Sequence, residues 1–288
     1  MAGRPTIAFC FLTRSGVHRP ELWAAWFRDA PEPGMFAVFV HRSDAQPGDA
    51  LAGVEGATLI APQQSPNDGA WGKFPVVRVH HALAVAAMAH SPRVAKVVFL
   101  SADCVPVQRF SAVYAALAAS PARGVLAWET PNANHARRDG PAMAARRAAH
   151  WPCGWGWTWR VASQWSVLAR QHVAALAEHW GPLQATFDAG DQEPVEVPDE
   201  HALVVLFSAL GLLDSFDRRP VMYVDWDEDL EVDNDCGLHD DHTPGDSPYI
   251  FHAGGDLSRG LLRRAQACGA LFLRKVCEHG NVGTPWSV

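Results

Sequence analysis

Residues 97–117, VVFLSADCVPVQRFSAVYAAL, place a strand-like run before a short polar turn and a helix-like run. The first four residues are β-branched, aromatic or aliphatic, which favours a strand that is buried on both faces. Ligands of open α/β sheets bind outside the carboxyl ends of such strands. Ser101 and Asp103 therefore point to a candidate ligand site, and the stretch predicts an α/β sheet around it.

The rest of the chain repeats this alternation of strand-like and helix-like segments, which is typical of an α/β sheet. The predicted strands are Thr6–Thr13, Met35–His41, Ala57–Ala61, Ala95–Ser101, Gly124–Glu129, Val221–Trp226 and Ala270–Val276. The predicted helices are Glu21–Ala30, Val76–Ala89, Phe110–Ala119, Gln164–Trp180, His201–Leu213 and Leu257–Ala267. Residues 130–160 mix charge, Gly, Pro and Trp, and we predict a long active-site loop or lid there. No repeat or linker divides the chain, so we predict one domain over residues 1–288.

Composition and charge narrow the class of protein. The net charge of −7 over 288 residues argues against nucleic acid as a partner, because phosphate binding needs a basic surface. No stretch approaches the roughly 18 uninterrupted apolar residues of a membrane span, and no signal-peptide cleavage pattern is present. We therefore expect no membrane span and a cytoplasmic location. The six cysteines form no C-x-x-C pair; reduced thiols are expected, with disulfides as the alternative.

Three charged segments are candidates for function. Asp199 and Glu200 stand at a predicted helix start, where acidic residues often serve only as caps or as partners of the helix dipole. Arg274 and Lys275 lie in the predicted strand Ala270–Val276, and because adjacent strand residues face opposite ways, at least one should leave the core. Residues 225–241 hold nine carboxylates. A solvated acidic loop is the expected structure there; a calcium loop is the alternative, although the run lacks the turn Gly and the closing Glu of an EF-hand.

Seven motifs in chain order resemble the core-2/I-branching β-1,6-N-acetylglucosaminyltransferase family, including its soluble-domain relatives in plants and bacteria. They are FLTR (11–14), VFVHRSD (38–44), WGKFPVV (71–77), LSADCVPV (100–107), ASQWSVLAR (162–170), PDE (198–200) and LFLRKV (271–276). The resemblance implies a glycosyltransferase A-type fold, a Rossmann-like mixed sheet flanked by helices. Its nucleotide-binding half would span about residues 1–125, and its acceptor and catalytic half about residues 126–288.

The resemblance also implies the reaction. Enzymes of this family are inverting, metal-independent glycosyltransferases that move a sugar from a UDP-sugar to a carbohydrate hydroxyl. UDP-N-acetylglucosamine or UDP-xylose is the type of donor implied, and a carbohydrate or glycoconjugate is the acceptor. Glu200 maps onto the family's catalytic base, and Lys275 onto a basic group that binds the leaving diphosphate in place of a metal. Arg274 is the second candidate for this role, since its planar guanidinium suits phosphate oxygens. No cofactor beyond the donor is expected.

Further residues are placed by the same resemblance. His41 and Asp44 map next to the nucleoside of the donor. The residues mapped to the acceptor side are Glu129, Asp103, Tyr223 and Trp226.

Two alternatives stay open at this point. One is a catalytically silent module that binds a carbohydrate or a nucleotide on the same fold. The other is a metal-dependent transferase or phosphoesterase that uses the acidic run, including the DWD sequence at residues 225–227.

Overall fold

The computed structural model describes residues 4–44, 56–60, 72–129, 141–151, 158–188, 197–224, 259–276 and 285–287. Its strands are β1 (Thr6–Thr13), β2 (Phe36–Arg42), β3 (Thr58–Ile60), β4 (Val94–Ser101), β5 (Val105–Pro106), β6 (Gly124–Val125), β7 (Trp128–Glu129), β8 (Val161–Ala162), β9 (Val167–Ala169), β10 (Phe216–Asp217), β11 (Met222–Val224) and β12 (Phe272–Arg274). Its helices are α1 (Pro20–Arg28), α2 (Phe74–His90), α3 (Phe110–Ala118), α4 (Pro141–His150), α5 (Arg170–Glu178), α6 (Trp180–Phe187), α7 (Ala202–Ala209) and α8 (Arg259–Ala267).

The main sheet of the described residues has seven strands in the order β10–β6–β9–β4–β1–β2–β3. Strands β3, β2, β1 and β4 are parallel neighbours, whereas β9 runs antiparallel to both β4 and β6. β1 and β4 are buried along almost their whole length, as expected for central strands that helices cover on both faces. The predicted Rossmann-like mixed sheet flanked by helices is confirmed and is consistent with a glycosyltransferase A-type fold.

A second, three-stranded sheet has the order β11–β12–β5. β5 follows the end of β4 after a short turn, and β12 pairs with it antiparallel, with Leu273 opposite Val105. This pairing places β12 beside the turn after β4, although the two segments are distant in the chain.

An aromatic cluster joins the two sheets. Trp23 and Trp26 of α1 are fully buried, and the Trp26 ring meets Phe9 of β1 edge-on at 5.4 Å between ring centres. Trp23 also contacts Phe272 of β12 at 5.9 Å. Loss of a buried Trp side chain costs roughly 3–5 kcal/mol of stability, so this cluster is a major anchor of β12.

The structure corrects two predictions of local structure. The predicted helix Gln164–Trp180 is wrong in its first part, because β9 precedes α5, which begins only at Arg170. Residues of β9 are all buried between β4 and β6, and a short apolar run does not by itself distinguish strand from helix. The predicted loop 130–160 is wrong over residues 141–150, which form α4; Ala and Arg there have high helix propensity.

The structure also bears on membranes and thiols. Within the described ranges, every helix is too short or too polar to traverse a lipid bilayer. Cys10, Cys104 and Cys268 are free thiols, as predicted, although Cys268 is exposed. The other three cysteines lie outside the described residues.

Candidate active site

The carboxyl ends of β1 and β2 are joined by hydrogen bonds. The Thr13 hydroxyl donates to the carbonyl of His41 at 2.7 Å, and the Asp44 N–H donates to the carbonyl of Arg14 at 3.1 Å. The N–H of His18 donates to the carbonyl of Ala102, in the turn after β4, at 3.0 Å. The polar ends of three neighbouring parallel strands therefore meet at one edge of the sheet, where ligands bind in such folds.

His41 and Asp44 differ in how their side chains are satisfied. His41 is buried, and its Nε2 has no hydrogen-bond partner among the described residues. Burial lowers the pKa of His41, and a main-chain hydrogen bond with Thr13 opposes this only in part, so the ring is neutral near pH 7. Asp44 accepts a charge-assisted hydrogen bond from Arg42 at 3.1 Å. Their place beside a nucleoside stays a prediction.

The tip of β12 carries both predicted cations. The Nε of Arg274 lies 3.4 Å from Oδ1 of Asp103, and its guanidinium lies over the Trp165 ring, 4.9 Å from the ring centre. Both Arg274 and Lys275 are half-buried, which agrees with the prediction that at least one would leave the core. Burial and then Arg274 lower the pKa of Lys275, while Asp103 opposes the shift. Two cations are thus held side by side at the turn after β4.

Asp103 is the counter-ion within this group. Burial alone would raise its pKa, but Arg274, the Ser101 hydroxyl and Lys275 together hold the pKa of Asp103 below its usual value. The Ser101 hydroxyl donates to Asp103 Oδ1 at 2.5 Å. The carboxylate is therefore ionised at neutral pH and keeps its negative charge beside the two cations.

Glu200 lies on a short 3-10 turn, Pro198–Glu200, just before α7. The Glu200 N–H donates to the carbonyl of Val197 at 2.9 Å, and the Val197 N–H donates to the carbonyl of Gly72 at 3.1 Å. Gly72 belongs to the WGKFPVV motif and lies just before α2. Two motifs that are distant in the chain are therefore in direct contact, and this contact fixes where the Glu200 turn sits.

The position of α2 shows at which edge of the sheet Glu200 lies. α2 ends at His90 and β4 begins at Val94, so the helix ends at the amino edge of the sheet. From the rise per residue of a helix and of a strand, α2 and β4 are each about 25 Å long. The N-terminus of α2, and with it Glu200, therefore lies at the carboxyl edge, as do the ends of β1, β2 and β4.

Two neighbours of Glu200, to which the sequence assigns no catalytic or binding role, help to define its surroundings. Asp199 is 8% exposed, and burial raises its pKa to about 6, although hydrogen bonds from the N–H groups of Asp199 and Glu200 oppose the shift. The buried ring of His201 hydrogen-bonds through Nδ1 to the carbonyl of Arg160 at 2.7 Å and stacks on Trp159. A carbonyl only accepts, so Nδ1 of His201 carries a proton. These contacts hold the turn, while Glu200 itself is half-exposed.

The predicted acceptor residues fall in different places. Tyr223 lies on β11 opposite Leu273 of β12, next to the basic tip. Glu129 is exposed at the end of β7, in a two-stranded sheet with β8. Trp226 and the acidic run 225–241 lie outside the described residues. The role of each in acceptor binding stays a prediction.

Sequence reasoning also missed Trp165 as a partner of Arg274. The predicted helix Gln164–Trp180 includes this Trp, whereas in the structure Trp165 lies in the segment leading into β9. In the part of the chain that the structure describes, no three His, Cys, Asp or Glu side chains are close enough together to bind a metal ion.

The sequence has a match among protein families. A family model described as Core-2/I-Branching enzyme matches residues 7–246. The match includes every motif of the predicted site except the last, LFLRKV, which lies beyond it. No curated protein is similar enough to count as a relative of the chain.

Proposed function

The chain belongs to the Core-2/I-Branching enzyme family and is a glycosyltransferase, and from this premise we propose its specific reaction. Its substrates are a nucleotide-sugar donor and a carbohydrate acceptor. The reaction proposed is inverting, metal-independent transfer of a sugar from a UDP-sugar to an acceptor hydroxyl. UDP-N-acetylglucosamine and UDP-xylose are the donors to test first.

The observation that carries this proposal is the cation pair at the tip of β12. When the donor reacts, negative charge develops on the leaving diphosphate and must be stabilised. Arg274 and Lys275 stand next to each other beside the turn after β4. This is the carboxyl edge of the sheet, where ligands bind in folds of this kind. Arg suits phosphate because its planar fork matches two oxygens, and fixed cations do the same electrostatic work as a divalent metal.

The proposed base is Glu200. Inversion needs one carboxylate that removes the proton of the acceptor hydroxyl while the diphosphate leaves from the opposite face of the sugar. Glu200 is half-exposed at the same edge of the sheet, on a turn held by Gly72 and by the buried ring of His201. Its neighbour Asp199 is buried, so of these two carboxylates Glu200 is the more accessible to an acceptor.

One screen tests the reaction. The purified protein is incubated with a panel of UDP-sugars and carbohydrate acceptors, with and without EDTA, and UDP release and product anomer are measured. We expect UDP release to depend on the acceptor and to continue in the presence of EDTA. The product should be β-linked when the sugar of the donor is α-linked. UDP binding without turnover with any donor would favour the silent binding module. Turnover that needs added Mn²⁺ would favour the metal-dependent alternative, in which the acidic run holds the metal.

The cytoplasmic location is a proposal of the same kind. It is supported by the three described cysteines, which are all free thiols. Disulfides are rare in reducing compartments, so the redox state of the remaining cysteines bears directly on it.

A further inference from the structure

Two contacts fix the guanidinium of Arg274, and we propose that Asp103 and Trp165 are positioning residues that orient it for a diphosphate. The Nε edge of Arg274 faces Asp103 Oδ1 at 3.4 Å, and one face lies over Trp165 at 4.9 Å from the ring centre. The Nη1 and Nη2 groups have no partner among the described residues. Because the Arg274 side chain is only 16% exposed, its Nη1 and Nη2 groups can point in only a few directions.

Asp103 is itself rigidly held. The Ser101 hydroxyl donates to its Oδ1 at 2.5 Å, and its carbonyl accepts the N–H of Val276 at 2.8 Å. Asp103 therefore contacts the tip of β12 twice, at Arg274 through its side chain and at Val276 through its main chain. Burial raises its pKa, but Arg274, Ser101 and Lys275 outweigh this effect and keep it ionised.

This arrangement has a cost and a benefit for anion binding. A free Arg side chain loses rotamer freedom when it binds a ligand, and prior ordering removes part of that loss. A carboxylate near a diphosphate, however, repels it. Asp103 therefore favours diphosphate binding only while Arg274 is present, and opposes it once Arg274 is removed.

The inference deepens the proposed function, on which its choice of ligand rests. It assigns Asp103 a role that acts through Arg274 and is separate from the acceptor contact predicted for it. Trp165 is buried at 6% exposure and belongs to the core, so Asp103 is the residue to test.

The test is a double-mutant cycle with Asp103→Ala and Arg274→Ala, read by calorimetry with UDP and with inorganic pyrophosphate. In the wild-type background we expect Asp103→Ala to weaken binding about tenfold, a typical coupling for residues in contact. In the Arg274→Ala background the same change should leave binding unchanged or tighten it. Asp103→Asn keeps an oxygen that accepts from Arg274 and Ser101, so it should lose less affinity than Asp103→Ala.

Uridine is the control, since it has no phosphate and should bind all variants alike if the fold is intact. If Asp103→Ala loses uridine binding as well, Asp103→Asn replaces it in the cycle. The inference is overturned if the Asp103 change weakens ligand binding equally in both backgrounds. It is also overturned if that change tightens ligand binding when Arg274 is present.

Failure of the proposed function gives a different result. Wild-type protein that binds pyrophosphate but not UDP would refute the UDP donor, and the cycle is then read with pyrophosphate alone. Wild-type protein that binds neither ligand would refute both proposals.

Discussion

The N–H of Val197 donates to the carbonyl of Gly72 at 3.1 Å, and both residues have left-handed backbone conformations, with φ of 42° and 66°. The bond ties the turn that carries Glu200 to the turn that begins α2. A side chain at position 72 would be strained, and its Cβ would lie 3.4 Å from Val197 Cγ1. The position of the candidate base therefore depends on a glycine in a different motif.

Gly72→Ala should reduce both stability and activity. The left-handed backbone costs a non-glycine residue about 1–2 kcal/mol. Any shift of Val197 also moves Glu200, and a displacement of about 1 Å can lower the rate up to a hundredfold. Urea unfolding and kcat for sugar transfer measure the two effects.

Gly211→Ala is the matched control for this change. Gly211 has φ of +67°, and a Cβ added there would meet nothing within 4 Å. It should lose similar stability and keep its kcat. Equal kcat values for the two variants would show that Gly72 does not position Glu200.

Glu200→Gln should abolish transfer, because the amide keeps the shape of the side chain but does not accept a proton from the acceptor hydroxyl. Loss of a general base costs on the order of 10²–10⁴ in rate. The dissociation constant for UDP should stay within about twofold of wild type, since the base acts on the acceptor. Single-turnover transfer and calorimetry with UDP check the two expectations.

Glu178→Gln, at an exposed position at the end of α5, is the control for removal of one carboxylate and should transfer like the wild type. If Glu200→Gln retains more than about a tenth of wild-type activity, Glu200 is not the base.

Asp199→Asn should make stability less dependent on pH. Burial raises the pKa of Asp199 from 3.8 to about 6, so the native state holds its proton more tightly than the unfolded state. The free energy of unfolding therefore falls as the pH rises from 3.8 to about 6. Above the folded pKa, the whole of this loss of stability is present. Asp199→Asn removes this loss, so its advantage should grow from near zero below about pH 4 to at most about 3 kcal/mol near pH 7. Chemical unfolding at several pH values measures it; a difference that does not vary with pH would contradict the raised pKa.

The parts of the fold that were predictable from sequence are those with a local signal. β1 has the predicted bounds Thr6–Thr13, because a continuous apolar and β-branched run marks a central strand. β9 was not predictable in this way, since its three residues become a strand only by pairing with β4 and β6, which are distant in the chain. α4 had a local signal in its Ala- and Arg-rich sequence, which the neighbouring Gly, Pro and Trp residues obscured.

The same division applies to the site. Motifs and their resemblance to a family single out Glu200, Arg274 and Lys275 without any knowledge of their neighbours. The contact of Arg274 with Trp165 and with Asp103 depends on the antiparallel pairing of β12 with β5, for which no local pattern exists. The prediction of one domain with two functional halves stays a prediction.

Thiol titration should find six reactive thiols under denaturing, non-reducing conditions, one for each cysteine. Among the described residues, Cys268 is exposed, whereas burial raises the pKa of the Cys10 and Cys104 thiols. In the native protein, Cys268→Ser should therefore remove one fast-reacting thiol, and Cys10→Ser should remove none. Fewer than six thiols in freshly purified protein would indicate disulfides and contradict the proposed cytoplasmic location.

Lys275→Ala should weaken UDP binding without changing uridine binding, because the contact it removes is to phosphate. A charge-assisted hydrogen bond contributes roughly 1.5–3 kcal/mol, so the dissociation constant for UDP should rise about ten- to a hundredfold. Lys275→Arg should recover only part of this loss, since a planar fork does not match the geometry of an ammonium group. Calorimetric titration of each variant with UDP and with uridine measures the differences.

Arg263→Ala removes a cation from an exposed position of α8 and is the matched control for net charge. It should bind UDP like the wild type, because a solvent-exposed charge that does not contact the ligand is largely screened. Wild-type transfer should also survive EDTA, since Lys275 and Arg274 would do the work of a metal at the leaving diphosphate. If EDTA abolishes transfer and Mn²⁺ restores it, or if Lys275→Ala binds UDP no more weakly than Arg263→Ala, the basic pair does not bind the diphosphate. The carboxylates at Asp103 and at residues 225–241 would then be the groups to test as metal ligands.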